Sequence, residues 1–219
     1  LSDAYYIGLF SNVASAGTIK NLRLENSYLQ SLKGSFATGS VVGRMDGDMH
    51  AVYSDAILTS TTPNNGGIIG YKNTKNESKI TNSWFDGTMK VSNINNGGFI
   101  GKIIGGPLTI DNCLSTGTIE LHDMPKAMIS TGGFAGEVPE DHELKITNSL
   151  VATQFNKVSD NRMVAVGRVA GTNWGTLQTE NVYYVKKDIA DGVSYVDTDK
   201  VTDTDCYSPG VKKGDRTYK

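Results

Sequence analysis

The sequence contains little of several residue types, and each shortage limits what the protein can be. It has two cysteines, five prolines and three histidines among 219 residues, and its 21 basic residues nearly balance its 23 acidic ones. Without a basic stripe, nucleic acid and anionic membrane surfaces are disfavoured as partners. No run approaches the roughly 18 apolar residues of a transmembrane helix, so we expect no direct membrane insertion.

Sequence motifs of catalysis and cofactor binding are also missing. Zinc hydrolysis by an H-E-x-x-H helix and serine hydrolysis at a G-x-S-x-G turn have no match in the sequence. The stretch "NNGGFIGK", Asn95 to Lys102, has the look of a phosphate-binding loop. Its glycines are too close together for that motif, and Lys102 is followed by Ile103 instead of Ser or Thr. We therefore expect no cofactor, and no enzyme activity in this chain.

Glycine is abundant, with 25 residues, because this stretch recurs. A tetrapeptide with two apolar residues in the middle occurs every 27 to 35 residues, and its outer residues are small except for Arg168. The copies are Gly8–Ser11, Ser40–Gly43, Gly67–Gly70, Gly98–Gly101, Gly133–Gly136 and Arg168–Gly171. This tetrapeptide is the first anchor of each unit. A second anchor follows 10 to 12 residues later, at Ile19–Asn21, Val52–Ser54, Ile80–Asn82, Ile110–Asn112, Ile146–Asn148 and Thr179–Asn181. Because both anchors recur at matching distances through six units, they indicate six structural repeats.

Short segments rich in β-forming residues, such as Ile80–Phe85 and Thr118–Leu121, lie between clusters of turn residues. A period of about thirty residues then predicts an all-β solenoid of about six stacked rungs with a triangular cross-section. Equivalent side chains should form inward ladders, one of Ile69, Ile100 and Ala135 and another of Ile80, Ile110 and Ile146.

The repeat anchors are predicted to have structural roles. Glycine permits tight corners or close approach between rungs, and asparagine amides can bond along the solenoid axis. The slot of Lys102 holds either sign of charge in other repeats, which favours a solvated face. The predicted anchors are Gly8, Gly43, Gly70, Gly101, Gly136, Gly171, Asn21, Asn82, Asn112, Asn148 and Asn181.

The six units resemble the GLUG repeat of bacterial surface proteins, most clearly at Gly67–Asn82, Gly98–Asn112 and Gly133–Asn148. Similar regions occur upstream of the catalytic domain in immunoglobulin A-cleaving metalloproteases of Gram-positive bacteria. The resemblance implies a right-handed parallel β-helix in an extracellular, cell-surface or cell-wall protein of a bacterium. It specifies fold far better than function.

The domain organisation predicted is a β-helix over residues 1–185 and a C-terminal cap or linker over residues 186–219, in which Val193, Tyr195 and Val196 would cover the last rung. The chain begins at Leu1 without a signal peptide, so we expect it to be part of a longer protein. Cys113 takes a slot that is serine in other repeats, and a Cys113–Cys206 bridge would require the tail to fold back.

Several polar stretches could be functional sites, but we favour a structural interpretation of each as a polar loop. Asp46, Asp48 and His50 could bind a metal, but no calcium loop is complete and a polar loop is favoured. Two further stretches, Glu140–Glu143 and His122–Asp123, are expected to be solvated loops. A glycosidase would need paired carboxylates on adjacent rungs, and Asp86 is predicted to lie opposite Ser115, which gives no such pair.

The aromatic residues Trp84 and Trp174 are the candidates for a binding surface, although filling corners or capping ends is the commoner role of such residues. We therefore expect a non-catalytic scaffold or adhesion module that binds a host protein or glycan and connects other domains of the same polypeptide. One alternative is the substrate-recognition region of a secreted zinc metalloprotease whose catalytic domain lies elsewhere. A second alternative is a carbohydrate-active β-helix enzyme.

Overall fold

All regular structure in the described residues is β-structure. The computed structural model describes residues 5–31, 34–122, 129–157, 164–184, 211–213 and 216–218, and these contain no helix. Four parallel sheets run along the molecule, and every rung adds one or two strands to each sheet it reaches. The predicted β-solenoid is therefore confirmed.

The strands of the four sheets follow one another in the same order around each rung. Sheet A contains β1 (Tyr6–Ile7), β5 (Ala37–Gly39), β9 (Asn65–Gly66), β14 (Asn96–Gly97), β19 (Ile129–Gly132) and β24 (Val164–Gly167). Sheet B contains β2 (Phe10–Val13), β6 (Val42–Met45), β10 (Ile69–Thr74), β15 (Ile100–Gly105), β20 (Ala135–Val138) and β25 (Ala170–Asn173). Sheet D contains β4 (Tyr28–Ser31), β8 (Ile57–Ser60), β13 (Thr88–Val91), β18 (Thr118–Leu121) and β23 (Gln154–Lys157).

Sheet C, which lies between sheets B and D along the chain, changes character from rung to rung. In the first two rungs it has one seven-residue strand each, β3 (Thr18–Leu24) and β7 (Asp48–Ser54). In the later rungs this strand is split in two by an asparagine. The pairs are β11 (Ser78–Thr81) and β12 (Trp84–Phe85), β16 (Leu108–Asp111) and β17 (Leu114–Ser115), β21 (Glu143–Thr147) and β22 (Leu150–Val151), and β26 (Thr176–Glu180) and β27 (Tyr183–Tyr184).

The described chain makes five complete rungs and a sixth that has strands in sheets A, B and C, in agreement with the prediction of about six. Four sheets replace the three that a triangular cross-section implies, because the first two residues of each apolar tetrapeptide separate sheet A from sheet B. The right hand of the winding stays a prediction from the general preference of parallel crossovers.

The core consists of ladders of equivalent side chains, and both predicted ladders are confirmed. Parallel pairing aligns Ile69 with Ile100 and Ile100 with Ala135. It likewise aligns Ile80, Ile110 and Ile146, which are at most 1% exposed. Each such buried side chain contributes about 1.5–3 kcal/mol relative to an exposed one, so the shared interior stabilises the stack.

The closing glycines of the tetrapeptides allow backbone to touch backbone between rungs. A Cβ at Gly101 would lie 2.4 Å from the carbonyl carbon of Asn64 and 2.6 Å from the nitrogen of Asn65, both in the preceding rung. Gly43, Gly70, Gly136 and Gly171 have equivalent contacts. Glycine therefore serves close approach between sheets A and B at these positions.

Gly8 differs from the other predicted glycine anchors. Pairing of Phe10 with Val42 places Ser11 in the closing slot of the first rung, three residues after Gly8. The described chain has no rung beneath Ser11, which is exposed, so a side chain is accommodated there. The departure of the first repeat from the glycine pattern thus has a steric reason.

The C-terminal region is described only over two short strands. β28 (Val211–Lys213) pairs antiparallel with β29 (Arg216–Tyr218). The predicted capping residues Val193, Tyr195 and Val196 lie outside the described residues, as does Cys206.

We predict that Gly101→Ala destabilises the protein by about 2–3 kcal/mol, because the added methyl group would have to displace the backbone of the neighbouring rung. Urea unfolding measures the change. Ser11→Ala is the matched control, because it occupies the same slot without a rung beneath, and it should stay within about 0.5 kcal/mol of the parent. Equal effects of both substitutions would contradict the steric role of Gly101.

Candidate functional site

The outer face of sheet C is shaped by a column of asparagines with left-handed backbone. Asn21, Asn82, Asn112, Asn148 and Asn181 have φ values between 50° and 55°. Asparagine tolerates this conformation better than most residues with a side chain. The bend turns Thr81 and Trp84 outward while Ile80 and Ser83 remain buried. It therefore keeps the core filled on both sides of the corner.

Amide hydrogen bonds connect parts of this column along the solenoid axis. Asn112 Nδ2 donates to Asn82 Oδ1 at 2.6 Å, and Asn181 Nδ2 donates to Asn148 Oδ1 at 3.1 Å. Between them, Asn148 Nδ2 donates to Asp111 Oδ1 at 2.9 Å. A hydrogen bond from the hydroxyl of Thr147, followed by this bond from Asn148, lowers the pKa of Asp111, which keeps it ionised as an acceptor.

The second rung interrupts the asparagine column. Its anchor is Met49-His50-Ala51, because Ile80 pairs with Met49 and Thr81 with His50. The alignment of Val52-Tyr53-Ser54 with the other anchors was therefore wrong by three residues. Ala51 has φ 53° and so adopts the left-handed conformation without an amide side chain. The column consequently has a gap between Asn21 and Asn82.

Beside the asparagines runs a second outward column that begins with Arg23, Tyr53 and Trp84. The guanidinium of Arg23 lies 4.4 Å from the centroid of the Tyr53 ring, and the Tyr53 and Trp84 rings are 5.1 Å apart at 66°. Trp84 Nε1 donates to Thr116 Oγ1 at 2.6 Å, which fixes the indole against the next rung. In the later rungs this column continues with Leu114, Leu150 and Tyr183.

The gap and the aromatic column together form an open pocket of about 430 Å³, which we call the Ala51 pocket. It is lined by Asn21, Arg23, Ala51, Val52, Tyr53, Asn82 and Trp84. Its lining thus combines two carboxamides, one guanidinium and two aromatic rings. Such a mixture of apolar surface and a few polar groups is typical of small-molecule binding sites.

The Ala51 pocket has one positive group, which is paired, and several carboxylates nearby. Arg23 Nη2 lies 2.5 Å from Glu25 Oε1, and this hydrogen bond raises the pKa of Arg23. Burial raises the pKa of Tyr53, and the negative charges of Asp55 and Asp86 add to the effect. The Tyr53 hydroxyl therefore remains protonated at neutral pH, and it donates to Asp55 Oδ2 at 3.5 Å.

A column of carboxylates borders the pocket on the side towards sheet D. Pairing of Ser54 with Phe85 and with Leu24 brings Asp55 opposite Asp86 and Glu25, and Asp86 lies opposite Thr116. The expectation that Asp86 lies opposite Ser115, without a carboxylate partner, was therefore wrong by one residue. Asp55 Oδ1 accepts the Asn26 N–H at 2.8 Å, and Asp86 Oδ1 accepts the Thr116 hydroxyl at 2.5 Å.

The structure does not gather Asp46, Asp48 and His50 into one group of ligands. Asp46 is buried in an ion pair with Arg44, whereas Asp48 is exposed and accepts the Lys79 N–H at 2.8 Å. Asp48 and His50 belong to strand β7, so the favoured interpretation as a polar loop was also wrong for them. In the described part of the chain, no three or more His, Cys, Asp or Glu side chains are grouped so that they could hold one metal ion.

The two remaining polar stretches lie elsewhere on the solenoid. Glu140 and Asp141 are exposed turn residues before strand β21, in which Glu143 is the first residue. His122 follows strand β18 and its Nε2 lies 3.4 Å from Glu120 Oε2, while Asp123 is outside the described residues. Neither stretch contributes to the lining of the Ala51 pocket.

The structure separates the two tryptophans. Trp84 lies half-buried in sheet C of the third rung, whereas Trp174 follows strand β25 in the sixth rung and is 59% exposed. Three rungs of about 4.8 Å each therefore separate them along the axis. Only Trp84 belongs to the lining of the described pocket.

The slot of Lys102 is more enclosed than predicted. Arg44, Tyr71, Lys102, Glu137 and Thr172 align along sheet B, and Tyr71 and Glu137 are buried. Lys102 Nζ lies 2.9 Å from Glu137 Oε2. Opposite charges on successive rungs thus pair with each other, and the expected solvated face was wrong.

A second asparagine column, which was not predicted from the sequence, lies at the corner before sheet A. Asn64 and Asn95 also have left-handed backbone, and Asn95 Nδ2 donates to Asn64 Oδ1 at 2.9 Å. Their neighbours Asn65 and Asn96 are fully buried, and Asn65 Nδ2 donates to Asn96 Oδ1 at 2.9 Å. The repeated Asn-Asn pair before the glycines was the available signal.

A buried lysine, Lys72, was likewise not predicted. It is 1% exposed, and its Nζ donates to three backbone carbonyls, of Thr74 and Asn76 at 3.1 Å and of Gly106 at 2.8 Å. Burial lowers its pKa to about 8, against the opposing effect of the Asp46 charge. Lys72 thus joins the turns that follow sheet B in the third and fourth rungs.

Cys113 continues an internal column of small polar side chains. It is fully buried, free, and receives the Ser83 N–H at 3.4 Å, while its own N–H donates to Ser149 Oγ at 3.1 Å. Burial raises its pKa to about 12, so it remains a thiol. Whether Cys206 approaches it lies outside the described residues.

Comparisons of the chain with protein-family models, with curated proteins and with solved structures give no match. The resemblance to the GLUG repeat therefore stays a prediction. Across the described ranges, no helix has the length and hydropathy needed to cross a bilayer.

We predict that burial of Lys72 makes stability rise at alkaline pH. Its folded-state pKa of about 8 lies below the ordinary 10.5, so the unfolded chain binds more protons between these values. The free energy of unfolding should rise across this window by up to about 3 kcal/mol. Urea unfolding at pH 7 and pH 10 measures the rise.

Lys72→Met is the matched control, because neighbouring rungs place Met45 and Ile103 in this slot. The difference in stability between parent and variant should change with pH in the same window. A difference that is constant from pH 7 to pH 10 would contradict a lowered pKa at Lys72.

Proposed function

We propose that this chain is a non-catalytic binding module, in which a rigid β-solenoid presents the outer face of sheet C to a ligand. The observation that supports it is the Ala51 pocket, where Tyr53, Trp84 and two asparagine amides lie around one opening. Aromatic rings with polar edges are favoured contact residues in both glycan and protein recognition.

The rigidity of the scaffold suits this role. The strands that carry Arg23, Tyr53 and Trp84 are paired in register within sheet C, and the core behind them is closed by buried side chains such as Val52 and Phe85. A site on such strands keeps its shape when a ligand binds, which limits the entropy lost on association. We propose an adhesion or scaffold role in a bacterial surface protein, and that setting rests on the GLUG resemblance.

A carbohydrate-active enzyme is the second candidate, because the carboxylate column of Glu25, Asp55 and Asp86 exists. Adjacent rungs lie about 4.8 Å apart, close to the spacing of glycosidase carboxylates. Each of the three has a structural partner, however, in Arg23, Asn26 or Thr116. We therefore favour binding without turnover, and glycan cleavage that is lost in Asp55→Asn and Asp86→Asn would favour the enzyme instead.

The substrate-recognition region of a zinc metalloprotease remains a further proposal. Such a region would present a binding face of the same kind, with the same described contacts, as a general adhesion module. A zinc motif in flanking sequence of the intact protein would favour it.

We predict that Trp84→Ala weakens binding of the ligand found in a screen of glycans and host proteins by at least about tenfold, because it removes one wall of the pocket. The affinity is measured by biolayer interferometry with the ligand immobilised on the sensor. Trp174→Ala is the control, because it removes the more exposed tryptophan outside the pocket. Thermal unfolding of both variants separates lost binding from lost folding.

Binding that is lost in Trp174→Ala and retained in a folded Trp84→Ala would place the contact surface elsewhere and contradict the proposal.

A further inference from the structure

We propose that the Ala51 pocket binds one pyranose unit of a neutral glycan, with the sugar ring in the gap that Ala51 leaves in the asparagine column. This inference rests on the proposed binding function and names its ligand class. Ala51 would be a specificity-determining residue through the side chain that it lacks.

The backbone of Ala51 gives the first argument. A left-handed conformation is unfavourable for alanine and better tolerated by asparagine, which five other rungs use at this corner. The second rung therefore keeps a less suitable residue at a strained position. Strain of this kind often accompanies a functional site, and here the small side chain opens the pocket.

The arrangement of polar groups gives the second argument. The exposed Asn21 and Asn82 lie one rung below and one rung above the gap, about 10 Å apart along the axis. Each carboxamide offers both donors and an acceptor, which matches the hydroxyl groups of a sugar. Asn82 Oδ1 already accepts from Asn112, and its Nδ2 lies 3.4 Å from His50 Nδ1, so the second N–H of this amide is the one left for a new partner.

The aromatic wall gives the third argument. Tyr53 and Trp84 lie at 66° to each other, and the indole is held by Thr116. Arg23 already covers one face of the Tyr53 ring, so Trp84 is the main ring for stacking. The negative face of an aromatic ring attracts the weakly positive C–H groups of a pyranose. The amides on one side can therefore bind the hydroxyl groups of a sugar, and the rings on the other can contact its C–H groups.

Charge and sheet pairing exclude competing ligand classes. Arg23, the charged residue in the lining, is already paired with Glu25, so the carboxylate of an acidic sugar gains little there. Strand β7 is paired on both sides, with β3 and with β11 and β12, so a peptide cannot add as a new strand at the pocket. A neutral glycan fits both restrictions.

The test uses Ala51→Asn, which restores the side chain of the other rungs and fills the gap. Because asparagine suits this backbone, the variant should unfold at the same temperature as the parent or a higher one. Ala16→Asn makes the same chemical change at an exposed turn residue outside the lining and serves as the control. Both are made in a Trp174→Phe background, where Trp84 is the remaining tryptophan and its fluorescence reports on the pocket.

The probes are neutral hexose and N-acetylhexosamine oligosaccharides, sialylated and uronic-acid glycans, and unstructured peptides. We expect neutral glycans to shift Trp84 fluorescence in the parent and in Ala16→Asn, and to bind Ala51→Asn at least about tenfold more weakly. Neutral glycan binding that survives in Ala51→Asn, or binding of acidic glycans alone, would overturn the inference.

Two outcomes separate this inference from the proposed function. A protein ligand whose binding depends on Trp84, with no glycan bound, would overturn the glycan inference and leave the binding module standing. Failure of the parent protein to bind any ligand in a broad screen would contradict both.

Discussion

Every feature of this molecule depends on parallel pairing of each rung with the next in a fixed register. Parallel pairing leaves equivalent residues one above the other, so a single choice of residue is repeated as a column. Glycine is needed where sheets A and B touch, as at Gly101, and asparagine where the chain bends outward, as at Asn82. A substitution in one rung therefore alters the contacts of the neighbouring rungs along the axis.

The same constraint explains how function can arise in a repetitive scaffold. A column with six equal members has no unique place at which a ligand could bind. Uniqueness comes from one rung that departs from the pattern, and Ala51 is such a departure because it opens a gap between two amides. Tyr53 and Trp84, in the neighbouring column, supply the apolar wall that turns the gap into a candidate site.

Sequence predicted the fold well and the site poorly, for physical reasons. Ile69 and Ile100 recur at a period that is recognisable although the loops differ in length, so the inward ladders could be identified without coordinates. Outward columns depend on exact register. Ala51 was missed because its anchor lacks both isoleucine and asparagine. Asp86 was placed opposite Ser115 instead of Thr116, and its carboxylate neighbour Asp55 was not identified. Trp84 was selected from the sequence as a candidate residue and stays a prediction, but its neighbours could not be deduced from spacing.

The most direct test of the account is whether the register holds in solution. In a background with Cys113→Ser and Cys206→Ser, cysteines replacing Lys90 and Glu120, which are paired in sheet D, lie about 4.8 Å apart and should form a disulfide on mild oxidation. Cysteines replacing Thr88 and Glu120 lie about 8 Å apart by the same geometry and should remain reduced. Efficient bridging of the offset pair, with none in the paired positions, would contradict the stacked rungs on which both the fold and the pocket depend.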